Sequence, residues 1–305
     1  MAPPIVTVVM PTFNRLAYVQ AAVASVYAQT FEDWELIVID DGSDDETRRF
    51  LRTPPDPRMS VVYCSHTGVP AAIRNQGIAR ARGRYVAFLD SDDLWAAEKL
   101  QRQLALMESQ PARRWSYTAV RRIDADGLEI PFRPVPFVPY AGWVFEQVLR
   151  VDAQIGTPTV MAELAFVREL GGFDEKMRFV EDYDLWSRMA LESEVAVETT
   201  PLAYIRSHAE HFTSDRVGSL SGWASLYEKM ETLAPTQRLR TLCRERKGHY
   251  FLSLAAEHAR SRDWVGMRRS IVAAARSRAF SPLGWLRIAR AAALARQRVT
   301  RRESD

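Results

Sequence analysis

A predicted strand that ends in carboxylates is the feature that most constrains this chain. Residues 85–89 form an apolar run, and Asp90, Asp92 and Asp93 follow it within four positions. The run predicts a strand buried in a sheet, and carboxylates so close together repel unless something positive lies beside them. Two interpretations stay open. The carboxylates hold a divalent cation together with a ligand's phosphates, or Ser91 or Asp92 simply caps the next helix.

Strand-like and helix-like segments alternate through the first third of the chain. Strands are predicted at residues 5–10, 34–39, 61–63 and 85–89, with helices at 16–27, 43–51 and 70–81 between them. This order predicts an α/β fold with a largely parallel sheet covered by helices on both faces. Further along, helices are expected near 96–108, 163–170 and 181–191, strands near 115–121 and 157–161, and helix throughout from about 219.

Polar residues and prolines predict where some of these elements begin or end. Asn14 is the expected N-cap of the helix at 16–27. Residues 43–46 (Ser-Asp-Asp-Glu) have the form of a capping box, with Ser43 as the cap. Four prolines between residues 131 and 139 exclude regular structure there. We expect that segment to be a mobile loop over the ligand site.

The length and composition fit one large α/β domain with an appendage, or two domains. The chain has 305 residues, of which 47% are hydrophobic and 26% charged, as is ordinary for a globular protein. No apolar run approaches the ~20 residues that span a bilayer, and the N-terminus lacks a signal core. Cys64 and Cys243 lie far apart without metal-ligand spacing. We therefore expect a cytoplasmic protein with reduced thiols.

The charge is unevenly distributed. Ten arginines and no acidic residue lie between Trp264 and Arg302; since the whole chain carries +3 and these arginines +10, the remainder carries −7. Part of this region, near residues 287–302, predicts a basic amphipathic helix that contacts an anionic membrane surface; a solvated face of a helical bundle is the alternative. Residues 250–282 predict a helical pair that mediates self-association, and no motif supports nucleic-acid binding. We divide the chain into domains at residues 1–215 and 216–305.

Polar residues follow the first two predicted strands. Pro11, Thr12 and Asn14 come after the first, where backbone N–H groups at a helix start can cradle a nucleotide; simple capping is the alternative. Asp40 and Asp41 follow the second, and a carboxylate at a strand end can accept hydrogen bonds from a base edge or a ribose hydroxyl. Because parallel strands end at one edge of a sheet, we expect these residues to share one ligand site.

Charged residues from later segments complete the candidate site. Arg74 lies on an otherwise apolar predicted helix, and its planar guanidinium suits either a phosphate or one of the acidic clusters. Asp182, beside Glu181 at a helix start, can act as a general base on a hydroxyl or stabilise the helix N-terminus. His208, with His211 nearby, is a candidate late metal ligand or phosphate contact.

Several of these segments, taken in order, resemble the family 2 glycosyltransferases of the GT-A fold. They are residues 8–15 (VVMPTFNR), 29–43 (QTFEDWELIVIDDGS), 74–78 (RNQGI), 90–93 (DSDD), 171–174 (GGFD) and 181–183 (EDY). The resemblance runs from Thr7 to about residue 211. It implies a nucleotide-binding, mixed, mainly parallel sheet flanked by helices, followed here by an all-helical C-terminal region.

The resemblance also implies roles for individual residues. Asp182 is the expected catalytic base, and the expected ligands of Mn²⁺ or Mg²⁺ are Asp92, with Asp93 as an alternative, and His208. The expected donor-nucleotide-binding residues are Pro11, Thr12, Asn14, Asp40, Asp41, Arg74, Asp90 and Ser91. Those expected on the acceptor side are Trp95, Gly172 and Glu181.

The activity implied is an inverting, metal-dependent transfer of one sugar. The donor is a nucleotide-diphosphate sugar, with a UDP-sugar favoured, and the acceptor is the hydroxyl of a sugar or a lipid-linked sugar, in surface polysaccharide or glycoconjugate assembly. The chain lacks the Gln-x-x-Arg-Trp motif and the membrane spans of processive synthases, which favours single transfer. The alternatives are a non-catalytic nucleotide-sugar-binding scaffold and a nucleotidyltransferase, which would usually show a Gly-rich, Lys-containing loop after the first strand.

Overall fold

The computed structural model describes residues 2–130, 137–207 and 215–277. Contacts gather the described residues into two compact units. The first unit takes those up to Lys176 and those from Glu181 to Ser207, and the second takes Met177–Val180 and those from Asp215 onward. The predicted domain division after residue 215 stays a prediction. His208, most of the proline-rich loop and the arginines beyond residue 277 lie outside the described residues.

The first unit is built on one eight-stranded sheet. In chain order its strands are β1 (Val6–Thr12), β2 (Trp34–Asp40), β3 (Met59–Tyr63), β4 (Tyr85–Phe88), β5 (Leu94–Trp95), β6 (Trp115–Ile123), β7 (Met161–Glu163) and β8 (Val195–Arg206). They lie side by side in the order β3-β2-β1-β4-β7-β6-β8-β5. The pairs β3/β2, β2/β1, β1/β4 and β6/β8 are parallel, whereas β7 and β5 run antiparallel to their neighbours. The expected mixed, mainly parallel sheet is confirmed.

Helices flank this sheet and make up the second unit. Those of the first unit are α1 (Leu16–Tyr27), α2 (Glu46–Leu51), α3 (Pro70–Arg80), α4 (Lys99–Ser109), α5 (Phe145–Arg150), α6 (Leu164–Glu169) and α7 (Glu181–Glu192). The second unit contains α8 (Arg216–Leu233), α9 (Gln237–Arg260) and α10 (Trp264–Arg276). The expected helical C-terminal region is confirmed. Among the described residues, none of these helices is both long and apolar enough to cross a bilayer.

The sheet core explains why α3 lies where it does. Every residue of β2 is buried, as are all but one of β1, so these strands need apolar cover on both faces. One face is covered by α1 through Val19, Val23 and Val26, which recur at helical spacing. On the other face α3 approaches closely at Gly77, where an added Cβ would lie 2.6 Å from Val9 Cγ1.

Two predicted helix caps are wrong. The N-cap of α1 is Arg15, and Asn14 instead has a left-handed φ of 45° and exchanges two side-chain hydrogen bonds with Asp44. The N-cap of α2 is Asp45, and Ser43 Oγ accepts from the Asn14 backbone N–H at 3.0 Å. In both cases hydrogen bonds between two loops replaced the local cap that the sequence indicated.

Three later segments also differ from expectation. Neither Ser91 nor Asp92 caps a helix, because residues 94–95 form β5 and α4 begins only at Lys99. Residues 157–159 form a 3₁₀ turn, and the strand there starts at Met161. Neither α5 nor the twelve-residue strand β8 was predicted from the sequence. The polar residues and the proline of β8 obscure its period-two pattern.

A lysine is fully buried at the start of α4. Lys99 is 0% exposed, its Nζ donates to Gln103 Oε1 at 2.6 Å, and it lies 4.2 Å from the centroid of the Trp95 ring. The Gln103 amide in turn donates to Ser116 Oγ and to the carbonyl of Thr159. Burial lowers the pKa of Lys99 to about 7, because a charged ammonium is disfavoured away from water.

We predict that Gly77→Val destabilises the first unit by about 1–3 kcal/mol, the usual cost of overpacking a filled core. The new methyl groups would press on the Val9 side chain and on Ile39, whose Cδ1 lies 2.8 Å from the added Cβ. Urea unfolding followed by circular dichroism measures the loss. The control is Ala79→Val, which places the same side chain on the exposed face of α3. Equal midpoints for both variants would contradict this account of α3 packing.

Candidate active site

The carboxyl ends of β1, β2 and β4 meet at one edge of the sheet. Thr12 is level with Asp40 across the parallel pair β1/β2, and Val9 is level with Phe88 across β1/β4. The residues that follow these strands therefore emerge side by side, which is where open α/β sheets bind ligands. The predicted strand-end residues therefore lie together at this edge.

Asp41 lies in this edge, where its carboxylate accepts three hydrogen bonds and its main-chain oxygen is bonded to His66 Nδ1 at 2.9 Å. Its Oδ1 accepts from the Thr67 backbone N–H at 2.8 Å and from the Thr67 hydroxyl at 3.2 Å. Its Oδ2 accepts from the Gly68 N–H at 2.9 Å and lies 3.1 Å from His66 Nδ1. The His66 ring stacks on Phe13 with centroids 4.0 Å apart. The carboxylate thus orders the loop that leads into α3.

The neighbouring residues Thr12 and Asp40 are buried more deeply. Asp40 Oδ1 accepts from the Ser43 N–H at 2.9 Å, whereas Asp40 Oδ2 and Thr12 Oγ1 are buried with no hydrogen-bond partner among the residues that the structure describes. Pro11 is partly buried and is level with Ile39 in β2. Asn14 joins the loops after β1 and before α2. Donor-nucleotide binding by these four residues stays a prediction.

Arg74 connects two acidic segments that are remote in sequence. Its Nη2 donates to Asp90 Oδ1 and its Nη1 to Glu181 Oε1, each at 2.6 Å. Its side chain is 7% exposed. Burial alone would lower the pKa of Arg74, but the carboxylates of Asp90 and Glu181 outweigh burial and raise it. The sequence left a phosphate and an acidic cluster open as partners of Arg74. In the structure Arg74 pairs with acidic residues.

Asp182 follows directly at the start of α7. Its Oδ1 accepts from the Tyr183 N–H at 2.8 Å, and Thr157 Oγ1 lies 3.5 Å from its Oδ2. Burial, together with the negative charge of Glu181, raises the pKa of Asp182 from 3.8 to about 7. By exposed surface the residue is only partly buried, so one side of it stays open to solvent. A carboxyl group of this kind can exchange a proton near neutral pH.

The other two carboxylates after β4 point to different partners. Asp92 pairs with the guanidinium of Arg15, while Asp93 Oδ1 accepts from the backbone N–H of Arg206 at 2.8 Å. The Arg206 side chain donates to the carbonyl of Asp92 at 2.8 Å. Burial, then the charges of Asp92 and Asp90, raise the pKa of Asp93 well above its usual range. Ser91 between them is buried.

The donor set at this edge fits a hard divalent cation that shares its ligands with a substrate. Mg²⁺ is commonly held by one or two carboxylates plus substrate phosphates, with no all-protein cage. Asp90 and Asp92 supply oxygen donors of that kind, and their present partners are the cations Arg74 and Arg15. Within the described ranges no three His, Cys, Asp or Glu side chains are arranged to hold a metal by themselves.

Two of the residues expected on the acceptor side are engaged in packing. Trp95 is 4% exposed and donates from Nε1 to the Pro158 carbonyl at 2.8 Å. Gly172 has φ 69°, and a Cβ there would lie 2.6 Å from Asn75 Oδ1. The third, Glu181, bonds to Arg74. Their acceptor-side roles stay predictions.

Sequence reasoning missed several side chains that shape this site. They are Phe13, Arg15, His66, Thr67 and Thr157, which act from loops or from helix ends. Strand periodicity and carboxylate clusters give no signal for them, because each acquires its role only through a partner distant in the chain.

Residues 7–138 match the model of the family described as Glycosyl transferase family 2. A glycosyltransferase of Rickettsia bellii is 33% identical over 209 residues, which are 68% of this chain but 29% of that protein. The Escherichia coli enzyme WfgD, named UDP-Glc:alpha-D-GlcNAc-diphosphoundecaprenol beta-1,3-glucosyltransferase, is 39% identical over 103 residues, 34% of this chain and 41% of that one. The chain thus spans less than half the length of either relative.

Solved structures share the fold at low identity. The structure of S. aureus TarS residues 1–349 with UDP-GlcNAc has a TM-score of 0.63 and 16% identity, and the match covers 92% of this chain and 93% of that one. The Pyrobaculum calidifontis mannosyltransferase PcManGT, solved with GDP-Man and Mn²⁺, has a TM-score of 0.61 and 20% identity over 97% of this chain and 81% of that one. Residues 7–138 therefore form a domain that matches Glycosyl transferase family 2, and the solved structures show that the fold is of the GT-A type.

Proposed function

We propose that this chain transfers one sugar from a nucleotide-diphosphate sugar to an acceptor hydroxyl, with inversion at the anomeric carbon. The observation that carries the proposal is Asp182, a carboxyl group with a pKa raised to about 7, set beside the Arg74 network at the sheet edge. A general base works best when its pKa lies near the working pH. The family assignment supplies the reaction class.

In this proposal Asp182 accepts the proton that the acceptor hydroxyl loses as it attacks. The Thr157 hydroxyl and the Tyr183 N–H hold the carboxylate in place. Attack from the face opposite the leaving group inverts the anomeric centre. One base is sufficient for that reaction, and no covalent intermediate on the enzyme is required.

The donor is proposed to lie across the carboxyl ends of β1, β2 and β4. Asp41 would accept from the base or ribose, and Arg74 would exchange a carboxylate for a phosphate oxygen, which its planar guanidinium fits equally well. Asp92, with Asp93 as the alternative ligand and Asp90 beside it, would hold Mn²⁺ or Mg²⁺, which would supply electrostatic stabilisation of the diphosphate leaving group. Support comes from the oxygen donors and from neighbours solved with UDP-GlcNAc and with GDP-Man and Mn²⁺. We favour a UDP-sugar.

The proposed setting is surface polysaccharide or glycoconjugate assembly on a lipid-linked acceptor. WfgD, which is 39% identical over 103 residues, is named for transfer to a diphosphoundecaprenol-linked sugar. An enzyme with such a substrate benefits from residence at the membrane surface. We propose that α10 provides contact with an anionic bilayer. Its exposed side chains combine apolar and cationic groups, namely Trp264, Val265, Arg268, Arg269, Val272 and Arg276.

We predict that Asp182→Asn lowers kcat by about 10²–10⁴-fold, the usual contribution of a positioned general base. Donor binding should survive, because an amide of the same shape leaves the Arg74 contacts intact. Transfer is measured with a panel of UDP- and GDP-sugars in MnCl₂, and binding by the thermal shift each donor produces.

The control is Glu192→Gln, which removes a carboxylate from the exposed end of the same helix and should leave kcat unchanged. Undiminished turnover in Asp182→Asn would refute the base assignment. Donor-induced stabilisation without turnover in the unmodified protein, over the whole panel, would favour a scaffold over an enzyme.

We predict that kcat/KM rises with pH through about 7 and then levels off. The raised pKa of Asp182 means that the carboxyl group is largely protonated, and inactive as a base, at pH 6. The dependence on pH is measured at saturating metal and low donor. A profile that is flat from pH 5.5 to 8 would contradict the assignment of Asp182 to proton transfer.

We predict that the full chain sediments with vesicles containing phosphatidylglycerol and not with neutral phosphatidylcholine vesicles. Arg268→Gln combined with Arg269→Gln should weaken binding by about thirtyfold, since each basic residue near an anionic surface contributes about 1 kcal/mol. The control is Arg260→Gln, an arginine of the preceding helix that pairs with Glu257. Equal sedimentation of the unmodified chain and the double variant would show that α10 does not contact the membrane.

A further inference from the structure

We propose that His66 gates the nucleotide-base subsite: its ring stacks on Phe13 and covers Oδ2 of Asp41, where a base would bind. The inference rests on the proposed function, because it assumes that the site binds a nucleotide. It adds a specificity-determining residue that neither the sequence motifs nor the family match identifies. Three side chains carry the proposal, each from a different loop at the sheet edge.

The first step concerns hydrogen-bond capacity. A carboxylate offers about four acceptor positions, and the Asp41 carboxylate already receives two backbone N–H groups and one hydroxyl. His66 Nδ1, which is hydrogen-bonded to the main-chain oxygen of Asp41 at 2.9 Å, lies 3.1 Å from Oδ2 and covers the position that remains. A base N–H can therefore reach Oδ2 only if the imidazole moves away. The two backbone donors of Thr67 and Gly68 are part of the turn that starts α3, so their loss would disturb that turn.

The second step concerns space. Phe13 and His66 stack with ring centroids 4.0 Å apart and planes 22° from parallel. A base inserted between them would need two contacts of about 3.5 Å each, roughly 7 Å in all. The two stacked rings leave no such gap, so a base reaches the stacked face of either ring only if the other ring moves. The remaining ring then offers a stacking platform to the base.

The third step identifies the group that moves. The His66 backbone is fixed, because it packs so closely on Gly42 that a Cβ at Gly42, where φ is 81°, would lie 2.7 Å from His66 N. The His66 side chain, in contrast, is 51% exposed. Rotation about its χ angles takes the ring into solvent without moving the loop. That rotation breaks the hydrogen bond between Nδ1 and the main-chain oxygen of Asp41, and it uncovers both the stacked face of Phe13 and Oδ2 of Asp41.

A closed conformer lowers apparent affinity by the fraction of molecules that are open. His66→Ala should therefore bind UDP and GDP about three- to tenfold more tightly than the unmodified chain, as measured by isothermal titration calorimetry in MnCl₂. His66→Asn should do the same, because asparagine lacks the ring that stacks on Phe13. Phe13→Ala should weaken binding, because the platform is lost.

The matched control is Tyr63→Ala, which removes a 43% exposed aromatic ring from the end of β3 and should leave the dissociation constant unchanged. The gate is overturned if both His66 variants bind UDP and GDP no more tightly than the unmodified chain does, while their melting temperatures equal that of the unmodified chain. If the unmodified chain and all variants fail to bind UDP, GDP and their sugars, the proposed function itself is wrong, and the two failures are thereby distinguished.

Discussion

The guanidinium of Arg74 is the cation on which the acidic edge of the sheet depends. Asp90 arrives from the end of β4 and Glu181 from the start of α7, and both bond to Arg74 at 2.6 Å. Without it these carboxylates and Asp182 would repel one another in a poorly solvated place, and losing one partner of such a buried pair typically costs about 3–5 kcal/mol. Arg74 reaches them because Gly77, one turn later, lets α3 lie directly on β1 and β2.

The local part of this architecture could be predicted from the sequence. Some patterns predict the structure of their own segment within a few residues. They are the β-branched runs of β1 and β2, the helical spacing of α1 and the apolar run of β4. The strand β8 could not be found in that way, because its pairing with β6 and β5 stabilises a segment with polar residues and a proline. Short elements such as β5 likewise exist only through their partners.

The candidate site likewise combines residues that the sequence indicates with residues that it does not. The carboxylates were candidate site residues because a cluster of like charges is visible in the sequence, and Asp182 was a candidate because of its place at a helix start. Their partners were not, since Arg15 meets Asp92, and Thr157 meets Asp182, only after folding. The same reason explains the wrong caps at Asn14 and Ser43. Hydrogen bonds between loops took the place of the local bonds that sequence rules assume.

Buried Lys99 gives the protein an unusual relation between acidity and folding. An unfolded lysine titrates near 10.4, whereas burial lowers the pKa of Lys99 to about 7. Unfolding therefore takes up a proton between these values, and the contribution of Lys99 to stability improves as the solution becomes more alkaline. Asp182, with a pKa raised from 3.8 to about 7, contributes the opposite slope on the acid side. For these two side chains together, neutrality is the least favourable condition for the native state, and it coincides with the pH at which the proposed base begins to work.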